Sequence, residues 1–159
     1  MPNLLTPVAI WVGRLDAARE NSHLVVSLDR RLSKATRGRV PLLRIAGLPT
    51  LMLHVPGRKS RVERSTPLLC ASWRNGFVIV GSNWGDAKAP VWVHNLRAAG
   101  EGEVAMSVHG VRLKVDVREI ADADRSSAWR AAVRTWPNYE IYASRTTRQL
   151  PIFHLTPRL

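Results

Sequence analysis

The chain has one cysteine, Cys70, so neither a disulfide framework nor a thiolate pair for a structural zinc is available, and a reducing, cytoplasmic compartment is expected. Acidic residues are scarce as well. Twelve Asp and Glu stand against 24 Lys and Arg, a formal net charge of +12, which implies an anionic partner: nucleic acid, an acidic membrane surface or a phosphorylated small molecule. Long apolar runs are missing. The stretch from Pro41 to Pro56 is interrupted by Arg44, Pro49 and His54, short of the roughly 20 apolar positions that span a bilayer. Leu4 to Gly13 is interrupted by Pro7 and has no basic leader, so a secretory signal is not expected.

Several catalytic signatures are absent too. No Gly-x-Gly-x-x-Gly follows a strand-like run, and Gly57-Arg58-Lys59-Ser60 lacks the earlier glycine of a Walker loop. No Gly-x-Ser-x-Gly elbow exists for an α/β-hydrolase nucleophile. His23, His54, His94, His109 and His154 are scattered, with no His-Glu-x-x-His, so no metal site is expected. Internal repeats and low-complexity tracts are also lacking.

What is present reads as one domain of 159 residues, 45% hydrophobic. From Ser22 to Thr36, Leu24, Val25, Leu28 and Leu32 recur at helical spacing with Arg30, Arg31 and Lys34 on other faces, which predicts a basic amphipathic helix. Leu51 to Val55 and Thr66 to Trp73 read as strands, and Arg74-Asn75-Gly76 predicts a hairpin into Phe77 to Ser82. A short helix is expected from near Ala87 to Ala99, with Pro90 in its first turn and Gly100 as its stop. Glu103 to Val108 and Val111 to Ile120 form a second hairpin candidate around His109-Gly110. Asp122 or Asp124 is placed to cap a helix ending near Thr135, and Leu150 to Leu155 reads as the last strand. The fold class is therefore α+β: a mostly antiparallel, six-stranded barrel decorated by helices.

Three clusters stand out. Gly57 to Pro67 carries four cations, three hydroxyls and a glycine between two strands. There Arg58, Lys59 and Arg64 offer charged donors, while Ser60, Ser65, Thr66 and backbone amides offer neutral ones, as an anion cradle requires. In Ser82 to Asn95, Lys88 lies at the expected helix N-terminus, where free amides favour a phosphate or carboxylate, and Asp86 is a candidate cap. In Tyr139 to Pro151, Tyr139, Tyr142, Arg145 and Arg148 share one row at a spacing of three if the segment is helical, predicting a polar, aromatic pocket mouth.

These stretches together resemble the deazaflavin-dependent nitroreductase family, whose members use coenzyme F420, an 8-hydroxy-5-deazaflavin. The resemblance runs through Gly57-Arg58-Lys59-Ser60 and Arg64-Ser65-Thr66-Pro67-Leu68, then Ser82-Asn83-Trp84-Gly85 and Pro90-Val91-Trp92-Val93-His94-Asn95-Leu96, then Tyr139 to Pro151. It implies a split β-barrel over residues 41–159, preceded by the basic helical segment 1–40. It implies coenzyme F420 as cofactor, with flavin mononucleotide the alternative. Arg58, Lys59, Ser60, Arg64, Ser65, Thr66 and Pro67 would form the basic cofactor loop, Ser82, Asn83, Trp84 and Gly85 would lie along the coenzyme, and Lys88 near its phosphate. The implied reaction is hydride transfer to an activated alkene, quinone or nitro compound. Tyr142, then Tyr139, are the residues expected to position or protonate the acceptor. Arg61 stands where the family commonly has glycine, and Val93 where it often has an aromatic.

Other readings stay open at this point. One is a non-catalytic F420 carrier, and another a nucleic-acid-binding module, for which no reading motif is present. The basic helix suits either packing on the barrel or an anionic membrane surface at the inner face of the plasma membrane. A homodimer is compatible with the fold.

Overall fold

Leu51, Leu53 and Val55 alternate with Met52, His54 and Pro56, and the period of two that they set builds the first strand of a curled antiparallel sheet. The computed structural model describes residues 6–12 and 47–158. The basic helix expected over Ser22 to Thr36, and with it most of the 1–40 segment, lies outside the described residues. Among them the strands are β1 (Thr50–Pro56), β2 (Glu63–Leu69), β3 (Ala71–Trp73), β4 (Gly76–Val80), β5 (Ala105–Val108), β6 (Val111–Glu119) and β7 (Ile152–Pro157). The helices are α1 (Thr6–Val12), α2 (Val91–Ala98), α3 (Arg125–Thr135) and α4 (Asn138–Ser144), with a 3-10 turn at Asn83–Gly85.

The strands form one seven-stranded sheet in the order β2-β1-β5-β6-β7-β4-β3, antiparallel at every pairing. Its two edges, β2 and β3, are consecutive in the chain and joined by Cys70 alone, so the sheet curls until its edges share one bent strand. Thr66 to Trp73 is thus two strands where one was expected, which turns six into seven. At the bend the Cys70 amide donates to the Pro49 carbonyl at 3.1 Å, and burial holds its thiol up to about 12.

The sheet is covered on both faces. Inside the curl, Leu53, Val55, Ile79, Met106, Val115, Phe153 and Leu155 pack under Trp92, Val93 and Leu96 of α2. On the outer face of β3, β4 and β7, Trp73, Val78, Val80 and Ile152 meet Ala128, Ala131 and Ala132 of α3, whose small side chains let helix and sheet approach closely, and Tyr139 and Tyr142 of α4. Each fully buried large apolar side chain is worth about 1.5–3 kcal/mol. Helix α1 lies against α4, where the Asn138 amide donates to the Ile10 carbonyl at 2.7 Å.

Of the two hairpin turns, one differs from expectation. The first hairpin turns on Arg74-Asn75, with Trp73 paired to Gly76 and Arg74 at φ 51°. Gly76 belongs to β4, where a Cβ would stand 2.1 Å from the Leu155 carbonyl oxygen, so only glycine fits there. The second turns on His109-Gly110, both at positive φ, as the sequence predicts. Asp124 precedes α3 but caps nothing with its side chain. Its carboxylate instead accepts from Arg74 and Arg118.

Candidate functional site

The basic cluster is a tight turn, Gly57 to Val62, followed by strand. The Gly57 amide donates to the Val62 carbonyl at 2.9 Å, and the Arg61 amide to the Gly57 carbonyl at 2.8 Å. Gly57 is closely packed: a Cβ there would stand 2.7 Å from Ser60 Oγ and 3.3 Å from the Val62 carbonyl oxygen, so a larger residue would displace the Ser60 side chain and press on the turn. Arg61 takes φ 58°, the left-handed region that glycine occupies freely. The turn therefore keeps a glycine-type backbone with an arginine in it. The Arg61 guanidinium turns away to Glu103, whose carboxyl is held low first by the Gly100 amide.

The turn is docked by a buried amide. Asn95, on α2 and 6% exposed, accepts from the Arg58 amide at 3.1 Å. The side chains of Arg58, Lys59 and Arg64 are exposed and form no ion pair among the described residues. Register then sorts the rest of the cluster onto two faces. Arg64 and Thr66 lie opposite Val55 and Leu53, on the concave face, whereas Ser65 lies opposite His54 and Pro67 opposite Met52, on the convex face. Ser65 Oγ is 2.8 Å from His54 Nδ1, whose other ring nitrogen is 2.8 Å from Ser107 Oγ. The structure thus separates Ser65 and Pro67 from the cradle in which the sequence placed them, because a strand alternates its side chains.

The second cluster is a strained turn. Ser82 is in the αR region (φ −77°, ψ −39°), and Asn83, Trp84 and Gly85 follow at φ 44°, 58° and 81°. A right-handed residue followed by a left-handed one turns successive amides to one side, a concavity that binds anions. The amides of Ser82, Asn83 and Trp84 donate to no group among the described residues. Asn83 Nδ2 donates to the Lys88 carbonyl and the Lys88 amide to Asp86 Oδ1, both at 2.9 Å. These bonds hold 86–88 out of helix, and Ala89 precedes a proline, which disfavours helix as well. Helix α2 consequently starts at Val91, and Lys88 sits in the loop before it, with Asp86 shaping the loop and not capping the helix. Val93 is fully buried in the inner core, and a Cβ on Gly81 would lie 2.7 Å from its Cγ2. The aromatic-to-valine difference is therefore a packing change under Gly81.

The third cluster supports the second from behind. Gly85 lies so close to α4 that a Cβ would stand 2.6 Å from the Tyr142 carbonyl oxygen. The Trp84 and Tyr142 rings are 5.7 Å apart, and Arg145 stacks 5.8 Å over Tyr142. Tyr139 and Tyr142 do not line a mouth: they are 6% and 3% exposed, in the outer-face core. Burial raises both phenols, and hydrogen bonds with Trp136 and Asn138 partly offset this for Tyr142. Helix α4 ends at Ser144, so Arg148 leaves the row and turns under the loop. There it donates to the carbonyls of Asp86 (2.8 Å), Gly81 (3.0 Å) and Ser82 (2.7 Å). Asn95 and Arg148 are the two anchors that sequence reasoning missed. Asn95 stood inside one matched stretch and Arg148 inside another, on the tyrosine-arginine row, but neither residue's distant backbone partner could be read from the sequence.

The sequence matches the family described as F420H(2)-dependent quinone reductase over residues 25–157. It is 33% identical over 138 residues to the F420H(2)-dependent quinone reductase Rv1261c of Mycobacterium tuberculosis, covering 84% of this chain and 91% of that protein. Among solved structures it is similar to the F420-H2 dependent reductase FDR-A, with a TM-score of 0.61 and 29% identity over 67% of this chain and 93% of that one. A chain described as a domain-swapped dimer is similar at a TM-score of 0.63 and 28% identity, covering 88% and 97%.

Proposed function

The chain belongs to the F420H(2)-dependent quinone reductase family and is an F420-dependent oxidoreductase with the split-barrel fold, and on that premise we propose that it reduces a quinone, an activated alkene or a nitro compound with the coenzyme held by the basic turn and the Ser82–Gly85 loop. The observation that carries this reading is a tether: the Arg58 amide on Asn95 fastens the turn that bears the unpaired cations Arg58 and Lys59 to α2, the helix that follows the loop whose Ser82, Asn83 and Trp84 amides donate to no group among the described residues. The donor set fits the coenzyme, whose phosphate and acidic tail ask for several cations and directed amides and for no metal.

When bound, the reduced deazaflavin supplies a hydride. Arg58, Lys59, Arg64 and Lys88 attract and hold the anionic end, with Ser60 and Thr66 beside them. Ser82, Asn83 and Gly85 present backbone to the coenzyme, and Trp84 presents an aromatic face backed by Tyr142. We assign Tyr142 to positioning, because its ring supports Trp84 while its hydroxyl faces Trp136 and Asn138. Tyr139 we assign to the core, and the acceptor's proton to solvent. Similarity to a chain described as a domain-swapped dimer leads us to extend a homodimeric state to this chain, which light scattering on the purified protein decides.

The test is a titration of purified protein with coenzyme F420 and with flavin mononucleotide, followed by turnover of a quinone, an enone and a nitroaromatic. The expected result is tighter binding of F420, weakened by salt, and reduction of at least one acceptor. Preference for flavin mononucleotide overturns the reading, and tight F420 binding without turnover of any acceptor assigns a carrier instead.

A further inference from the structure

The Ser82–Gly85 loop is held by one side chain from 66 residues away along the chain. The Arg148 guanidinium uses Nε, Nη1 and Nη2 on three carbonyls, those of Asp86, Gly81 and Ser82. In a trans peptide the C=O and the N–H of one unit point in opposite directions. The carbonyl of Gly81 shares its plane with the Ser82 amide, and that of Ser82 shares its plane with the Asn83 amide. By gripping these two carbonyls, Arg148 aims the two amides the opposite way, away from itself. A cation on a carbonyl oxygen also polarises the peptide and strengthens its N–H as a donor. The left-handed residues that follow cost free energy and persist only where surroundings hold them, as this clamp does.

We propose that Arg148 is a positioning residue for coenzyme binding: from behind the loop it orients and polarises the Ser82 and Asn83 amides toward an oxyanion of the bound coenzyme, its phosphate or a ring oxygen. This rests on the proposed F420 site. Lysine keeps the charge but lacks the planar fork that reaches three acceptors at once, so it does not replace arginine here.

The experiment compares wild type with Arg148→Lys and Arg148→Met. Affinities are read by fluorescence for F420 and for the phosphate-free 8-hydroxy-5-deazariboflavin, and the amide resonances of the wild type are followed during both titrations. Losing the orientation of a charge-assisted donor weakens binding by about tenfold or more in both variants, with KM for the coenzyme rising more than kcat falls. A loss confined to F420 places the phosphate at these amides, and an equal loss with both ligands places a ring oxygen there. In the wild type the Ser82 and Asn83 amide protons move downfield on saturation. Unchanged affinities in both variants, or wild-type amides that do not move, overturn the proposal. If the variants do not fold, the wild-type amide titration decides alone. Failure of the wild type to bind F420 at all removes the proposed function itself, whereas binding with unmoved amides removes only the role of Arg148.

Discussion

Arg61 carries a left-handed backbone in a chain of L-residues, and two substitutions there separate its backbone cost from its side-chain gain. Its φ of 58° is easy only for glycine, and any other L-residue pays roughly 1–2 kcal/mol. Its guanidinium pairs with Glu103 at the surface, with side-chain exposures of 54% and 34%, so that pair returns only about 0–1 kcal/mol. Arg61→Ala removes the pair and keeps the strain. Arg61→Gly removes both, but glycine also gives the unfolded chain more freedom, worth roughly 0.4–1 kcal/mol against it. The difference leaves Arg61→Gly more stable than Arg61→Ala by about 0.5–1 kcal/mol. At roughly 2–4 °C per kcal/mol for a chain of this size, the glycine variant melts about 1–4 °C higher. Glycine ordinarily ranks below alanine, so the reversed order is diagnostic. Paired thermal melts of the two variants in one buffer read it directly. An Arg61→Ala variant that melts at or above Arg61→Gly refutes the left-handed turn. Because the side chain faces Glu103 and not the cradle, both variants keep coenzyme affinity within about twofold, a change of roughly 0.4 kcal/mol.

Gly85→Ala places a methyl 2.6 Å from the Tyr142 carbonyl at φ 81°. It should destabilise the protein by roughly 2–5 kcal/mol, the sum of a left-handed penalty and an overpacking strain, seen as a lower denaturation midpoint at unchanged m-value. Stability should also fall on mild acidification. Burial first, and then Arg112 for His54 and Arg118 for His154, hold both imidazoles below their usual value. The unfolded chain therefore binds protons more readily. The stabilisation from the neutral rings is complete above about pH 6.5 and is lost as pH falls below it, through the lowered folded values. The carboxylates that arginines hold low, Glu63, Glu119 and Asp124, act only at pH below their ordinary range near 4. Melts between about pH 7 and pH 5 thus isolate the histidines, and His54→Asn should flatten the slope. A melting temperature independent of pH over that window contradicts the burial of His54 between Ser65 and Ser107.

The tether at Asn95 and the clamp at Arg148 show where local reading stops. Hairpins at Arg74 and His109, the helix end near Thr135 and the cationic turn after β1 were legible, because turn chemistry and side-chain alternation act over a few residues. So was the family resemblance, since its residues lie in three short stretches. The start of α2 was misplaced because Asn83 and Asp86 bind the backbone at 88, a competition that helix signals do not register. The tyrosine-arginine row failed for a related reason: α4 stops at Ser144, and a helical row exists only as far as its helix.

Composition and pattern, taken alone, determined a basic, antiparallel, helix-decorated barrel with cations gathered at one turn, since charge and periodicity are properties of the chain itself. Tertiary structure decided which of those residues face one another. Register sent Arg64 and Thr66 to the concave face and Ser65 and Pro67 to the convex one. Packing buried both tyrosines, and curling of the sheet brought Arg148 beneath the Ser82–Gly85 loop. Such pairings across many tens of residues depend on how surfaces pack over the whole domain, and no short stretch of sequence carries that information.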